Sequence, residues 1–356
     1  MSVTAATVLF FAVLIGVFLL PLLPAWLEIR QRRDADALPI AADGRVSAAY
    51  FAERFRGVLR DRLSGPLEEV RSLSMPLSGT VDGGDAFVVV PAGTAAVDVP
   101  AGERMVIGAG DLDLGADRHF LREVYAEGDL RAGDDVVLRA TLVDGAATLG
   151  RRATILRWLH ADDDLNLGPG ASLHGRVSCN ARLRVHEDTL FERLHAPRIE
   201  FGPPRESTHH TPETRRDLRE DELPRGAQKA GGRTLIKGDL ELRAGTRWVG
   251  DLVVHGRLHC GRGAQILGAV KADDVRLDEN VEIEGSVISR RHVFAREGVR
   301  IGGLVLAEGH VDLGRACRIG TDPGTASLRA ASLDVALGTV VHGSVWVDAD
   351  EGQVGS

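Results

Sequence analysis

Histidine pairs are the first residues of this chain that could do chemistry, because imidazole nitrogens bind zinc and other transition metals. His292 and His310 are 18 residues apart, and each stands directly before a valine of a repeating apolar pattern. His255 and His259 are four residues apart in a segment with strand-like alternation, where that spacing creates no shared helical face. The His209–His210 pair lies in a stretch rich in charge. These settings favour solvated surface histidines, and the sequence predicts no metal site and no cofactor.

Short acidic runs are the second candidates for chemistry. Asp162, Asp163 and Asp164 form one run, and Asp273 and Asp274 form another. Grouped carboxylates can cleave glycosides or bind calcium. Here they fall where short repeating units turn, and aspartate is a common turn residue. No phosphate-binding glycine loop, nucleophile elbow or CxxC motif is present. We therefore expect a protein that is not an enzyme, with an envelope solenoid enzyme or polysaccharide-binding protein as the alternative.

A sequence repeat of about 18 residues in the C-terminal third of the chain determines where these side chains lie. Within each unit, apolar and polar residues alternate, as strands with one buried face require. Glycines recur in register, and a fixed period of this size indicates stacked repeats. Three columns of apolar residues align from unit to unit: Leu240, Leu258, Val275, Val293, Val311 and Leu333; Leu242, Cys260, Leu277, Ala295, Leu313 and Val335; Trp248, Ile266, Ile283, Ile301, Ile319 and Val341.

The pattern predicts an all-β fold, a β-solenoid with about 18 residues and three short strands per rung. One rung cannot bury its own apolar face, so its stability comes from its neighbours. We place the strong repeats at residues 235–348 (the second array) and a weaker set at 76–200 (the first array). Whether the two arrays form one rod or two lobes stays open. The first array is marked by Gly115, Gly133, Gly150, Gly168 and His186, and by the apolar residues Val136, Ile155, Leu173 and Phe191.

The segments outside the arrays have different compositions. Residues 201–234 are dense in charge, proline and glycine, which predicts a linker or insertion. Residues 28–75 contain a stretch with helical spacing, for which two interpretations remain: a helix that packs on the first rungs, or one whose arginines (Arg54, Arg56, Arg60 and Arg62) lie against anionic lipid. Residues 349–356 are a short polar tail.

The N-terminus predicts the location of the protein. Residues 1–27 contain no charged residue and are long and apolar enough to span a bilayer as an uncleaved transmembrane helix. Arg30, Arg32 and Arg33 follow directly, and the positive-inside rule keeps them in the cytoplasm. We therefore expect a single-pass protein of the inner (cytoplasmic) membrane with its body in the cytoplasm. Three cysteines are too few for a disulfide framework, which suits a reducing compartment.

Charge excludes one class of partner. The chain carries 43 basic and 51 acidic residues, a net charge of -8. Nucleic-acid binding requires a concentrated basic face, so we expect no nucleic-acid partner.

The anchor, the rungs and two motifs together resemble the bactofilins, a family of polymer-forming bacterial cytoskeletal proteins. The motifs are "GDLELRAGTRWVGDLVVHGRLHCG" and "VEIEGSVISRRHVFAREGVRIGG", and the resemblance covers residues 235–347. It implies a right-handed triangular β-helix, nucleotide-free assembly into filaments through the helix ends, and membrane association. It also implies a scaffold for cell-wall enzymes that acts in cell shape or envelope assembly. This chain is larger than typical members, because it adds the first array and the charged insert.

The last rung predicts a site of self-association. Val345 and Val347 should point inward, and Trp346 should point outward beside an end that the polar tail is too short to cover. An uncovered solenoid end displays unpaired strand groups and a fresh apolar cross-section. We expect this end to bind a second copy, in a symmetric pair or a filament; the alternative is that the tail folds back or another segment covers the end.

Overall fold

The computed structural model describes residues 14, 49–81, 84–203, 215–218, 223–224, 227–230, 232–321 and 326–355. The chain divides into two compact units, Met1–Ser47 and Ala48–Ser356, and the solenoid lies in the second. No helix within the described ranges is long and apolar enough to cross a membrane. Apart from Leu14, the predicted anchor at 1–27, with Arg30, Arg32 and Arg33, lies outside the described residues.

An interrupted helix precedes the solenoid. Helix α1 spans Tyr50–Val58, one π-helical stretch spans Leu59–Leu63, and helix α2 spans Ser64–Leu73. Ser74 ends α2 in the left-handed conformation, and its backbone N–H donates to the carbonyl of Val70. A 3-10 turn, Ala96–Asp98, follows the strand Ala86–Pro91.

Short strands make up the first array and its cap. Strand β1 precedes the array, which extends from β2 to β13. Their bounds are β1 Leu77–Thr80, β2 Ala86–Pro91, β3 Met105–Ala109, β4 Leu112–Asp113, β5 His119–Ala126, β6 Leu130–Ala132, β7 Val137–Val143, β8 Ala147–Leu149, β9 Thr154–Ala161, β10 Leu165–Leu167, β11 Ser172–Cys179, β12 Arg182–Val185 and β13 Leu190–Phe201.

Two strands of the linker and the second array follow. The linker contributes β14 and β15, and the array extends from β16 to β32. Their bounds are β14 Arg216–Asp217, β15 Gln228–Ala230, β16 Arg233–Lys237, β17 Leu240–Leu242, β18 Thr246–Val249, β19 Asp251–Cys260, β20 Gln265–Leu267, β21 Val270–Leu277, β22 Glu282–Ile283, β23 Val287–Ser289, β24 Val293–Ala295, β25 Arg300–Ile301, β26 Val305–Ala307, β27 His310–Leu313, β28 Arg318–Ile319, β29 Ala326–Ala330, β30 Ser332–Val335, β31 Thr339–Val347 and β32 Gly352–Val354.

Within each array, the strands pair in parallel on three faces. Face A contains β2, β3, β5, β7, β9, β11 and β13 in the first array, and β16, β19, β21, β23, β26, β29 and β31 in the second. Face B begins with β4 in the first array and with β14 and β18 in the second. Face C contains the first parts of β5, β7, β9, β11 and β13 in the first array, and β17, the last parts of β19 and β21, β24, β27, β30 and β32 in the second. The prediction of a β-solenoid is confirmed, with about 14 turns.

The predicted apolar columns of the second array are interior stacks. Each column pairs member to member along its face, for example Ile266 with Ile283 and then Ile301 with Ile319. All of these residues are at most 5 % exposed. In the first array, the column runs through Leu138, which pairs with Ile155, whereas Val136 is buried at the neighbouring corner. The repeat period therefore predicted the interior column correctly, except that the column residue of this rung is Leu138 rather than Val136.

The far end of each array is covered within the chain. Strand β1 pairs antiparallel with β2 at the start of the first array. At the start of the second array, β14 pairs with β18 and β15 forms a hairpin with β16. Leu218, Leu223 and Ala227 of the linker also pack against the solenoid core. The described parts of segment 201–234 thus form a cap as well as a connection.

Candidate functional site: the array junction and the helix seam

The two arrays join at their C-terminal rungs. Strand β13 of the first array pairs antiparallel with β31 and β32 of the second. Arg193 lies opposite Trp346, and Leu194 lies opposite Val345. All three faces therefore continue from one array into the other, and we call this contact the junction. The pairing is antiparallel because two rungs that end their arrays meet end to end.

The prediction of an open end is therefore wrong within a single chain, and the alternative, in which another segment covers this end, is what the structure shows. Val345 and Val347 do point inward, at 0 % and 4 % exposed, and Trp346 points outward at 38 %. The tail also differs from the prediction, because Gly352–Val354 forms β32 and completes the last rung beside β30. The first array covers the edge that a second copy was expected to bind. Sequence periodicity missed this contact because it describes neighbours within an array, not the match between two array ends.

Aromatic rings fill the interior of the junction. Phe191 and Phe201 are fully buried, with ring centroids 5.7 Å apart. The ring of Phe191 lies against Gly352, where a Cβ atom would be 2.4 Å from the ring. Any other residue opposite Phe191 would require the ring or the backbone to shift. Most interior columns elsewhere contain aliphatic residues. The two rings therefore lie where the strand pairing changes from parallel to antiparallel.

Two histidine side chains form polar contacts between the two arrays at the junction. His195 Nδ1 lies 2.8 Å from Ser344 Oγ, and His342 Nδ1–H donates to the carbonyl of Pro197 at 3.2 Å. Burial lowers the pKa of His195, and the nearby His160 adds to this effect. A neutral imidazole at position 195 therefore suits the folded junction.

A buried carboxylate lies on face B of the same rung. Glu200 is 3 % exposed, and the guanidinium groups of Arg198 and Arg184 lie 2.6 and 3.3 Å from its oxygens. In the register of the junction, Glu200 is opposite Val340. A carboxylate this deep needs such partners, because desolvation alone would make its charged form costly.

The helical segment packs lengthwise on face A of the first array, and we call this contact the helix seam. This is the packing interpretation of residues 28–75. Phe55 meets Trp158 edge to face at 6.1 Å, and Phe51 lies under the guanidinium of Arg176 at 5.6 Å. The apolar stripe buried by the helices is Ala52, Phe55, Leu59, Leu63, Leu67 and Val70. The spacing of this stripe is that of an amphipathic helix.

Charged and polar groups connect the two sides of the helix seam. Arg56 contacts Asp144 at 3.0 Å and Asp162 at 2.5 Å, and Arg71 pairs with Glu127. Tyr125 donates to Asp144 at 2.5 Å. Burial, reinforced by this carboxylate, raises the pKa of Tyr125. In these three ion pairs, the cation is on the helix and the carboxylate is on the solenoid.

A serine, a histidine and an aspartate form a chain of contacts beneath the helix. Ser178 Oγ lies 2.8 Å from His160 Nδ1, and His160 Nε2 lies 3.1 Å from Asp162 Oδ1. This order is that of a hydrolase relay. Ser178 and His160 are each 2 % exposed, so no substrate reaches the hydroxyl in this structure. Burial lowers the pKa of His160 despite the opposing effect of Asp162.

Sequence reasoning did not single out His160, Ser178 and His195. The three residues lie in one outer column, in register from β9 to β11 to β13. Their spacings of 18 and 17 residues equal the repeat period. Because outward-facing positions repeat with the same period as inward-facing ones, the sequence does contain a signal for this column.

The predicted outer histidine column is present on face C. The backbone N–H of His310 donates to His292 Nδ1 at 3.2 Å, and the ring of Phe294 lies near both imidazoles, with centroid distances of 6.0 and 6.2 Å. His310 Nδ1 also lies 2.9 Å from Ser332 Oγ. His259 contacts Asp278 at 3.0 Å. In the part of the chain that the structure describes, no three His, Cys, Asp or Glu side chains form a metal-binding group.

The acidic runs do not form joint carboxylate sites. Asp164 accepts the backbone N–H of Arg182 in the next rung at 3.0 Å, so it acts as a corner residue. Asp273 and Asp274 pair with separate cations, Arg290 and Arg291. The His209–His210 pair lies outside the described residues. Cys179, Cys260 and Cys317 are free and buried; burial raises the pKa of Cys179 and of Cys317 to about 12.

Comparison with known proteins adds no relative. No family model, no curated protein and no solved structure matches the chain. The conclusions below therefore depend on the geometry described above and on the sequence.

Proposed function

We propose that this chain is a membrane-anchored scaffold of the bactofilin-like kind. Its solenoid body stands on the cytoplasmic side of the inner membrane and organises partners in cell shape or envelope assembly. The observation that carries this proposal is the unbroken stack of about 14 turns through the junction. At about 4.8 Å per rung, such a stack is roughly 65 Å long. A rod of this kind holds attached groups at fixed distances from one another.

The distribution of polar groups supports a structural role. Acidic corner residues bind the backbone of the next rung, as Asp129 Oδ1 does for Ala146 N at 2.9 Å and Asp239 Oδ1 does for Arg257 N at 2.8 Å. The contacts of Ser178, His160 and Asp162 lie beneath α1, where the serine hydroxyl is buried. These groups stabilise stacking, which is what a scaffold requires of them.

Self-association through Val345, Trp346 and Val347 is not part of this proposal. A second copy would have to displace the first array from β31. The proposed scaffold unit is therefore one chain, in which the second array is extended by the first.

Membrane topology tests the proposal. A reporter enzyme that is active only outside the cytoplasm, fused after Ser356, should be silent because Arg30, Arg32 and Arg33 hold the body inside. A matched fusion in which these three arginines are changed to glutamine should give a signal, since the orienting charges are gone. A strong signal from the unmodified chain would place the body outside. That result would refute the scaffold and favour an envelope enzyme or polysaccharide-binding protein.

A further inference from the structure

Face A of the second array has an outer column unlike those of the other two faces. From β31 to β16 the column is Trp346, Arg329, Leu306, Ile288, Lys271, Val253 and Leu235. The matching column on face C is Glu241, His259, Arg276, Phe294, Asp312 and Asp334, and that on face B is Arg247, Gln265, Glu282, Arg300 and Arg318. Aliphatic side chains thus concentrate on the outside of one face.

This column continues the surface that binds the chain's own helix. Across the junction, Trp346 is in register with Arg193, Arg193 with Arg176, and Arg176 with Trp158. Trp158 is buried under α1, whereas Leu306 and Ile288 are partly exposed and Trp346 is 38 % exposed. Helices α1 and α2 therefore cover face A in the first array, whereas no described residue covers it in the second array.

The shape of this face selects the kind of occupant. A helix is about 10 Å thick, so α1 and α2 raise the covered half of face A by that height. The half of face A that no described residue covers is recessed relative to Phe51, so a flat bilayer resting on α1 would not touch it. Six rung steps from β31 to β16 span roughly 29 Å, the length of a helix of about 19 residues.

Charge distinguishes the occupant from the chain's own helix. In the helix seam, Asp144 and Asp162 of the solenoid receive Arg56. In the outer column of the second array, the charged residues are Lys271 and Arg329. Arg329 already contacts Asp348 at 2.5 Å, so Lys271 is the basic group that faces an occupant. A helix that binds here therefore needs a carboxylate within reach of Lys271, whereas α1 presents Arg56 to the carboxylates of the first array.

We propose that face A of the second array docks an amphipathic α-helix of a partner protein, with an aliphatic stripe and acidic flanks. Such helix-in-groove recognition reuses the packing of the helix seam. The proposal deepens the scaffold function by naming the chemistry of its partner. Helix binding does not depend on membrane orientation, so the binding experiment and the topology experiment can each contradict its own proposal without affecting the other.

A designed peptide tests the docking surface. The probe is a fluorescein-labelled peptide of residues 50–73 that carries Arg56→Glu and Arg71→Glu, titrated with the full chain in mild detergent. Fluorescence polarisation should show saturable binding, and Leu306→Asp should weaken it at least tenfold. Phe294→Asp is the matched control, because Phe294 is 42 % exposed on face C, and it should leave binding unchanged. Circular dichroism checks the fold, with Leu306→Ser as the milder variant.

Charge reversal sharpens the test. Lys271→Glu should weaken binding of this probe and strengthen binding of the unmodified 50–73 peptide. No saturation up to about 1 mM, or equal losses in Leu306→Asp and Phe294→Asp, would overturn the proposal. It would also be overturned if sedimentation showed a wild-type dimer that Leu306→Asp dissociates, because the occupant would then be a second copy.

Discussion

Removing the ring of Phe191 should separate the unfolding of the two arrays. Phe191 is fully buried in the junction, with Phe201 on one side and Gly352 opposite. In a solenoid, each rung is stabilised by its neighbours, so the junction couples the first array to the second. Phe191→Ala weakens this single contact and leaves the rungs on either side intact.

The expected magnitude follows from the burial of the ring. Replacing a fully buried phenylalanine by alanine typically costs about 3–5 kcal/mol, since the transfer free energy is lost and a cavity remains. For a body of this size, about 2 °C of melting temperature is lost per kcal/mol, which predicts a fall of roughly 6–10 °C in the first transition. Calorimetry should then resolve two transitions in place of one.

Phe120→Ala is the matched control for this prediction. Phe120 is also 0 % exposed, and it lies in the same interior column on face C, where it pairs with Leu138, Leu138 with Ile155, Ile155 with Leu173, and Leu173 with Phe191. It is four rungs from the junction, so its loss should lower stability without separating the arrays. Identical single transitions for the two variants would refute the coupling argument.

Three further predictions concern the core, pH and the helix seam. Ile301→Asp should reduce the free energy of unfolding by several kcal/mol, because it places an unpaired charge in a dry column, and thermal melting checks this. Burial lowers the pKa values of His160 and His195, so the unfolded chain binds more protons below about pH 6.5. Stability should therefore be complete above that pH and fall as pH decreases, and urea midpoints should depend less on pH in the His160→Gln, His195→Gln double variant. Arg56→Ala should weaken the helix seam by about 1–2 kcal/mol, because Asp144 loses a charged hydrogen bond, and faster amide exchange across residues 50–73 would show this.

Periodicity made the rungs predictable, because burial in a solenoid repeats with the sequence. Ile283 and Ile301 were assigned to one interior column from spacing alone, and they occupy it. The outward direction of Trp346 followed from the same alternation. Such residues are determined by local patterns, which a single sequence displays.

The junction and the closed tail were not predictable in this way. The match of Phe191 to Gly352 joins positions that share no repeat register, and it depends on which array end meets which. The polar tail was predicted to be too short to cover the last rung, yet Val354 is fully buried and its N–H donates to the carbonyl of Thr189. Both contacts are set by tertiary pairing rather than by composition.

The antiparallel junction also imposes an order on biosynthesis. His195 and Ser344 share a hydrogen bond but are 149 residues apart, so a ribosome completes the first array long before its partner rung exists. At about 5–20 residues per second, β13 waits roughly 7–30 s for β31. During that interval the nascent chain presents a bare strand edge and the rings of Phe191 and Phe201, which a neighbouring nascent chain on the same polysome could bind. Completion of the C-terminus is therefore the step that removes this hazard.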